Sequence, residues 1–180
     1  LGATEESDEA LMLRFCDGDA KAFDALFARH AAQVRSYLHR LTGNGATADD
    51  LAQATFLSVV KARGRFMRGA AFKPWLYAIA TNAARDLHRR RRGEELSAEP
   101  KHTEVVEPKM KDAGLERRVR DALVQLPEAQ RTAILMHRFE GLSFAEIALA
   151  QGVSEGAVKV RAHRGYERLR ALLRGVWSGS

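Results

Sequence analysis

The sequence holds a single cysteine, Cys16, no run of ~18 apolar residues, and no apolar–polar alternation lasting more than a few positions. Each absence removes a class of protein. One thiol cannot close an internal disulfide and has no companions for a structural zinc site, so no metal is expected and Cys16 reads as a small buried hydrophobe. No membrane-spanning helix is expected. Leu1 to Glu9 is acidic rather than a basic leader with an apolar stretch behind it, which predicts a cytoplasmic protein. A Walker motif, a glycine-rich phosphate loop, a zinc-ligand spacing and a nucleophile elbow are all missing, so neither an enzyme nor a bound cofactor is expected.

What is present is charge of one sign in separate places. The formal net charge is +6, yet Leu1 to Phe27 carries seven acids against two bases. Arg85 to Gly93, with five Arg and one Asp, and Ser154 to Arg174, with six Lys/Arg and two Glu, are each net +4. Two separated basic patches predict two separate contacts with nucleic acid.

Apolar residues recur at helical spacing along most of the chain, which predicts an all-α protein. Its 180 residues suit two small helical domains, 8–92 and 114–174. Between them 93–113 has two prolines, six acids, three lysines and hardly any large apolar side chain, the composition of a flexible acidic linker. In the first domain the pattern predicts helices over Asp8 to Asp17, Ala20 to Leu41, Thr47 to Ala62 and Phe72 to Arg92, with Asp49 and Asp50 in the first turn of the third. That third helix has two apolar stripes, Ala52, Phe56, Val59 and Val60 on one and Leu51, Ala54 and Leu57 on the other. One stripe serves the core; the second serves either a partner protein or the interior of the same domain.

In the fourth helix Leu76, Ile79, Ala80, Ala83 and Leu87 share an inward face. The opposite face collects Thr81, Asn82, Arg85, Arg89 and Arg92. Guanidinium groups for phosphates and an amide for a base edge are the equipment of a single-strand binding surface. Trp75 stands at its edge, either as a stacking platform or as a packed ring.

The second domain begins with a helix over Leu115 to Leu126, with Leu115, Val119, Ala122, Leu123 and Leu126 inward, before Pro127 restarts the chain. Glu128 to Glu140 follows and ends at Gly141. Ser143-Phe144-Ala145-Glu146 has the form of a capping box and opens a short helix to Ala150; Gln151-Gly152-Val153 breaks it, and Ser154 caps the next. Two helices joined by a short glycine-containing turn are a helix-turn-helix. In the second, Val158, Ala162, Gly165, Leu169, Leu172 and Leu173 face inward, while Gly156, Lys159, Val160, His163 and Arg164 face outward, where such a helix meets base edges in the major groove. Arg161 lies between the faces, placed to touch phosphate or brace the fold.

Several segments together resemble one family. They are Phe23 to Phe27 through Leu41-Thr42-Gly43-Asn44, Ala48 to Phe56, Trp75 to Ala80 with Asn82 and Asp86-Leu87, Leu126-Pro127-Glu128, and Gly141 to Ala148. In order and spacing they resemble the bacterial sigma-70 family, in its small extracytoplasmic-function (ECF) group. The resemblance implies a sigma factor that directs RNA polymerase core to promoters and promotes DNA opening. It implies that Asp49, Asp50, Gln53 and Phe56 bind the coiled coil of the polymerase beta-prime subunit. It also implies that Arg65, Phe66, Arg68, Lys73, Trp75, Asn82, Arg85 and Arg89 engage the single-stranded minus-10 element. Gly156, Lys159, Val160, Arg161, His163 and Arg164 would then read duplex minus-35 DNA, and an anti-sigma factor would hold the chain inactive. Met67 stands where relatives often have Arg, and Ala157 and Val160 where they often have Thr and Ser, so promoter sequence does not carry over. The alternative is a self-standing operator-binding regulator, which would need an effector pocket or a symmetric dimer surface.

Overall fold

Every element in the computed structural model, which describes residues 5–95 and 113–177, is helical. Helix α1 (Asp8–Cys16) starts where the Ser7 hydroxyl accepts from the Ala10 amide at 3.1 Å. Helix α2 (Ala20–Thr42) is capped by Asp19 and stops at Gly43, whose φ of +74° a residue with a side chain adopts only under strain. The Asn44 side chain then accepts from the Thr47 amide at 2.9 Å, so α3 (Gly45–Ala62) starts two residues earlier than its apolar pattern predicts. Asp49 and Asp50 consequently lie in its second turn. After a 3-10 turn (Arg63–Arg65), α4 (Phe72–Glu95) begins with its first amide bonded to Glu9 Oε1 at 2.9 Å, a carboxylate at the positive end of a helix.

Leu11, Met12, Leu26, Val34, Leu38 and Leu76 fill the centre of this half, each almost fully buried. Each such side chain stabilises the fold by about 1.5–3 kcal/mol. Tyr37 and Tyr77 meet edge to face at 5.0 Å between centroids. The Tyr37 hydroxyl lies 2.7 Å from Thr81 Oγ1, and burial pushes its phenol up from the ordinary value. Thr81 is therefore buried, not part of the polar face that helical spacing assigned it to, because α2 covers that side of α4.

The second half contains α5 (Ala113–Val124), α6 (Glu128–Ile134), a π turn (Leu135–Phe139), α7 (Phe144–Gln151) and α8 (Glu155–Trp177). Both capping-box bonds form: the Ser143 hydroxyl accepts from the Glu146 amide at 3.1 Å, and Glu146 Oε2 accepts from the Ser143 amide at 2.8 Å. Gly152, at φ +65°, ends α7, and the Ser154 hydroxyl accepts from the Ala157 amide to start α8. Helix α8 runs close to α6 at Gly165, where an added Cβ would stand 2.6 Å from Ile134 Cδ1.

Other expectations are corrected. Leu115 and Leu172, assigned inward, are exposed, because no neighbour among the described residues covers those stretches of α5 and α8. Cys16 is only half-buried, and its thiol donates to the Arg63 carbonyl at 3.1 Å. Helix α4 continues through Glu95, so the first residues of the expected linker are helical; residues 96–112 lie outside the described residues. The two halves also touch, α4 against α7, and α2 against both α5 and the π turn. No described helix is long and apolar enough to cross a membrane.

Candidate nucleic-acid interface

The turn between α7 and α8 sets the angle of α8, and Arg161 fixes it by donating to Gln151 Oε1 at 3.1 Å across the pair. Arg161 thus braces the two helices. Val158, Ala162 and Gly165 are buried beneath α8, while Gly156, Lys159, Val160, His163 and Arg164 are exposed along its outer side. Lys159 pairs with Glu155 at 2.7 Å and His163 with Glu167 at 3.4 Å, both one turn away on the same helix. Such exposed pairs contribute little and yield readily to phosphate. A positively charged, uncovered helix face with a small residue at its start can enter a major groove.

The side chains proposed for the other contact are less uniform. Asn82 and Arg89 are exposed, Arg85 is half-exposed, and Arg65 and Arg68 stand free on the segment before α4. Phe66 is buried instead, packed edge to face on Trp75 at 5.2 Å; Phe72 lies 6.2 Å from the same indole. Trp75 is half-buried, one side in this aromatic group. Next to Phe66 the exposed Met67, 74 % accessible, stands at the tip of the loop. Arg85 Nε donates to Glu128 Oε1 at 3.0 Å, and Lys73 Nζ donates to the Glu140 carbonyl. Asn82 and Arg85 line a cavity of about 770 Å³ whose far wall includes Val124, Glu128 and Arg131.

On α3, Asp50 and Gln53 are exposed, and Arg35 pairs with Asp49, holding that carboxyl below its usual range. Phe56 points inward. It is 5 % exposed and sits edge to face on Phe27 at 4.8 Å, which corrects the expectation that its ring meets a partner directly. The exposed apolar residues there are Leu57, 60 % accessible, and Phe27. Leu57 belongs to the second stripe seen in the sequence, whereas Phe27 on α2 carries no local signal because its neighbour Phe56 is brought alongside only by folding. No group of acidic, His or Cys side chains among the described residues could hold a metal ion.

The family model described as Sigma-70 region 2 matches residues 26–94, and that described as Sigma-70, region 4 matches residues 116–169. The chain is 48 % identical over 165 residues to the RNA polymerase sigma factor CarQ of Myxococcus xanthus, covering 90 % of this chain and 95 % of that one. It belongs to the ECF group of the sigma-70 family. The ECF RNA polymerase sigma factor SigM of Mycobacterium tuberculosis is 34 % identical, with 96 % of this chain and 87 % of that protein covered. Among solved structures, CnrH in complex with the cytosolic domain of CnrY matches with a TM-score of 0.76 at 28 % identity, over 94 % of this chain and 99 % of that one. The sigma factor RpoE of Bartonella quintana, in complex with the anti-sigma factor NepR, matches with a TM-score of 0.73 at 25 % identity, over 86 % and 98 %. As a sigma factor the chain directs RNA polymerase to promoters, and the operator-binding regulator is not favoured. Region 4 spans the helix-turn-helix, and region 2 spans α3 and nearly all of α4.

Proposed function

We propose that this sigma factor divides its work among three surfaces, with 8–92 and 114–174 as its functional domains and 93–113 as the connection between them. The α8 face of Gly156, Lys159, Val160, His163 and Arg164, braced by Arg161, reads duplex DNA at minus-35. Asn82, Arg85, Arg89 and Trp75 of α4, with Arg65, Phe66, Arg68 and Lys73 before them, engage the minus-10 strand as it opens. Exposed guanidinium and amide groups suit a backbone and a base edge, and the half-exposed indole suits stacking. Phe66 supports that site from below rather than touching DNA, since it is buried under Trp75. Asp49, Asp50 and Gln53 on α3 bind the beta-prime coiled coil, joined by Leu57; Phe56 shapes this surface through Phe27.

The observation that carries this reading is the uncovered face of α8 in a helix-turn-helix with both capping-box bonds formed. The protein works in the cytoplasm and contributes recognition rather than catalysis. An anti-sigma factor restrains it, as the CnrH and RpoE complexes suggest.

The test is transcription from a library of genomic fragments by purified core polymerase with and without the chain. Specific initiation only with the chain supports the reading; no initiation at any promoter, together with binding to a palindromic operator by the chain alone, contradicts it. Leu57→Asp is expected to weaken core binding by about tenfold with little change in stability, since Leu57 buries little of itself in the fold. Competition against wild type for limiting core, read by fluorescence anisotropy, measures it.

A further inference from the structure

Helix α1 grips the segment before α4 at both of that segment's ends. At one end the Cys16 thiol donates to the Arg63 carbonyl at 3.1 Å, and the Arg63 guanidinium lies over the Phe15 ring at 5.3 Å from its centroid. At the other end Glu9 Oε1 accepts from the Phe72 amide at 2.9 Å. Glu9 and Cys16 stand seven residues apart, two helical turns, so the two contacts leave one side of α1 about 10 Å from each other. The 64–71 loop is strung between them and carries the exposed Arg65, Met67 and Arg68.

Helix α1 is itself fixed. Asp8, beside Glu9 in the sequence, accepts from Arg29 Nη1 at 3.0 Å and pairs with His30 Nε2 at 2.7 Å on α2, while Leu11, Met12 and Phe15 are buried. Two adjacent carboxylates thus fasten one turn of α1 to two different helices. The loop's own backbone bonds are short in reach: the Phe66 amide donates to the Arg63 carbonyl at 3.2 Å and the Ala70 amide to the Met67 carbonyl at 3.0 Å. Bonds of that kind shape a turn without fixing where it stands against α4. The Phe66 ring, packed on Phe72 and Trp75, supplies one anchor. Phe72 is fully buried, so its amide requires an acceptor, and Glu9 is that acceptor. A pocket that captures an extruded base has to be held to within about 0.5 Å by the groups behind it. The region 2 match begins at residue 26, so α1 lies outside it.

We infer that α1 is a strut that sets the 64–71 loop for the minus-10 strand, with Glu9 as its positioning residue. Glu9 touches no DNA. It acts through the Phe72 amide, which fixes where α4 starts and so where Arg65 and Arg68 stand relative to Trp75 and Asn82. What matters is the place of its oxygen; its charge is secondary. This inference rests on the proposed minus-10 role of Arg65 and Arg68.

Glu9→Asp and Glu9→Gln separate the two properties of the side chain. Aspartate keeps the charge in the first turn of α1 but withdraws the oxygen by one methylene; glutamine keeps an oxygen in place without the charge. Each full chain is assayed with core polymerase on a promoter selected with the wild type, by permanganate reactivity at minus-10 and protection at minus-35, and alone by trypsin cleavage. Glu9→Asp is expected to slow opening at saturating protein by about tenfold with minus-35 protection unchanged. Cleavage after Arg65 and Arg68 should rise by about fivefold in the same variant. Glu9→Gln should stay within about twofold of wild type in both. Equal losses in the two variants, or the reverse order that a role in the helix dipole would produce, overturn the inference. So does wild-type opening by Glu9→Asp, or cleavage that rises equally along the whole chain, the mark of general destabilisation. Arg65→Ala with Arg68→Ala tells this apart from failure of the minus-10 reading. If that pair opens DNA normally, the minus-10 reading fails; if the pair loses opening and Glu9→Asp does not, only the role of Glu9 falls.

Discussion

Helices α4 and α8 are of similar length, each with basic side chains along one side, yet the fold treats them differently. On the polar side of α8, Lys159 and His163 pair within their own helix, with Glu155 and Glu167. The corresponding side of α4 is divided: Thr81 is buried against Tyr37, Lys73 and Arg85 reach the other half, and Asn82 and Arg89 remain exposed. A helix with one buried stripe can devote the rest of its surface to a ligand. A helix covered from two sides has to share the same residues between structure and binding.

Stability measurements give the largest expected contrast between them. Tyr77 is fully buried in the second turn of α4, so Tyr77→Ala should cost about 3–5 kcal/mol in urea denaturation. Lys159→Ala on α8 should stay within about 0.5 kcal/mol. Comparable losses at the two positions would break the distinction. On DNA the order reverses: Arg164→Ala should weaken binding to a minus-35 duplex by about 1–3 kcal/mol, and reduce the log–log salt slope by about 0.9 if the contact is to phosphate. Titration at several salt concentrations separates a base contact, which leaves the slope alone, from a phosphate contact.

A smaller effect is expected from Ser143→Ala, which removes one of the two reciprocal capping bonds and should lower stability by about 1 kcal/mol. Thermal denaturation of the full chain measures it. The smallest effect concerns pH. Burial pushes the Glu140 carboxyl up from its ordinary value of 4.5, against the opposing influence of its bond to Tyr77 and of Lys73, Arg40 and His30. Because the packed halves hold the proton more tightly than water does, their contact is strongest below the ordinary value and weakens as pH rises through the raised one. Energy transfer between the halves should therefore increase as pH falls from neutral, and Glu140→Gln should flatten that part of the curve. An unchanged curve in the variant would assign the dependence to another group.

The two helices also differ in how much of them could be read from the sequence. The capping box at Ser143, the break at Gly152 and the inward row of Val158, Ala162 and Gly165 are local signals, and the helix-turn-helix stands where they place it. In α4 the inward row was legible through Leu76 and Ala80, but Thr81 and Tyr77 were not, because their partners Tyr37 and Glu140 lie 44 and 63 residues away. The same limit hid the inward turn of Phe56 onto Phe27. Glu140 had no local mark at all: a glutamate before a glycine at a helix end reads as solvated. Helical periodicity reports where apolar residues line up, as in the two stripes of α3, but not which stripe a distant element covers or which polar residue, such as Thr81, is buried by a distant partner.

The division of labour between α8 and α4 is tested most directly on one promoter selected with core polymerase and the wild-type chain. Permanganate reactivity of unpaired thymines around minus-10 reports opening, and protection of the minus-35 duplex reports occupancy. Asn82→Ala should retain occupancy and lose opening, whereas Arg164→Ala should lose occupancy, with opening restored at high concentration. If both variants lose the same signal to the same extent, the assignment of duplex reading to one helix and strand engagement to the other is wrong.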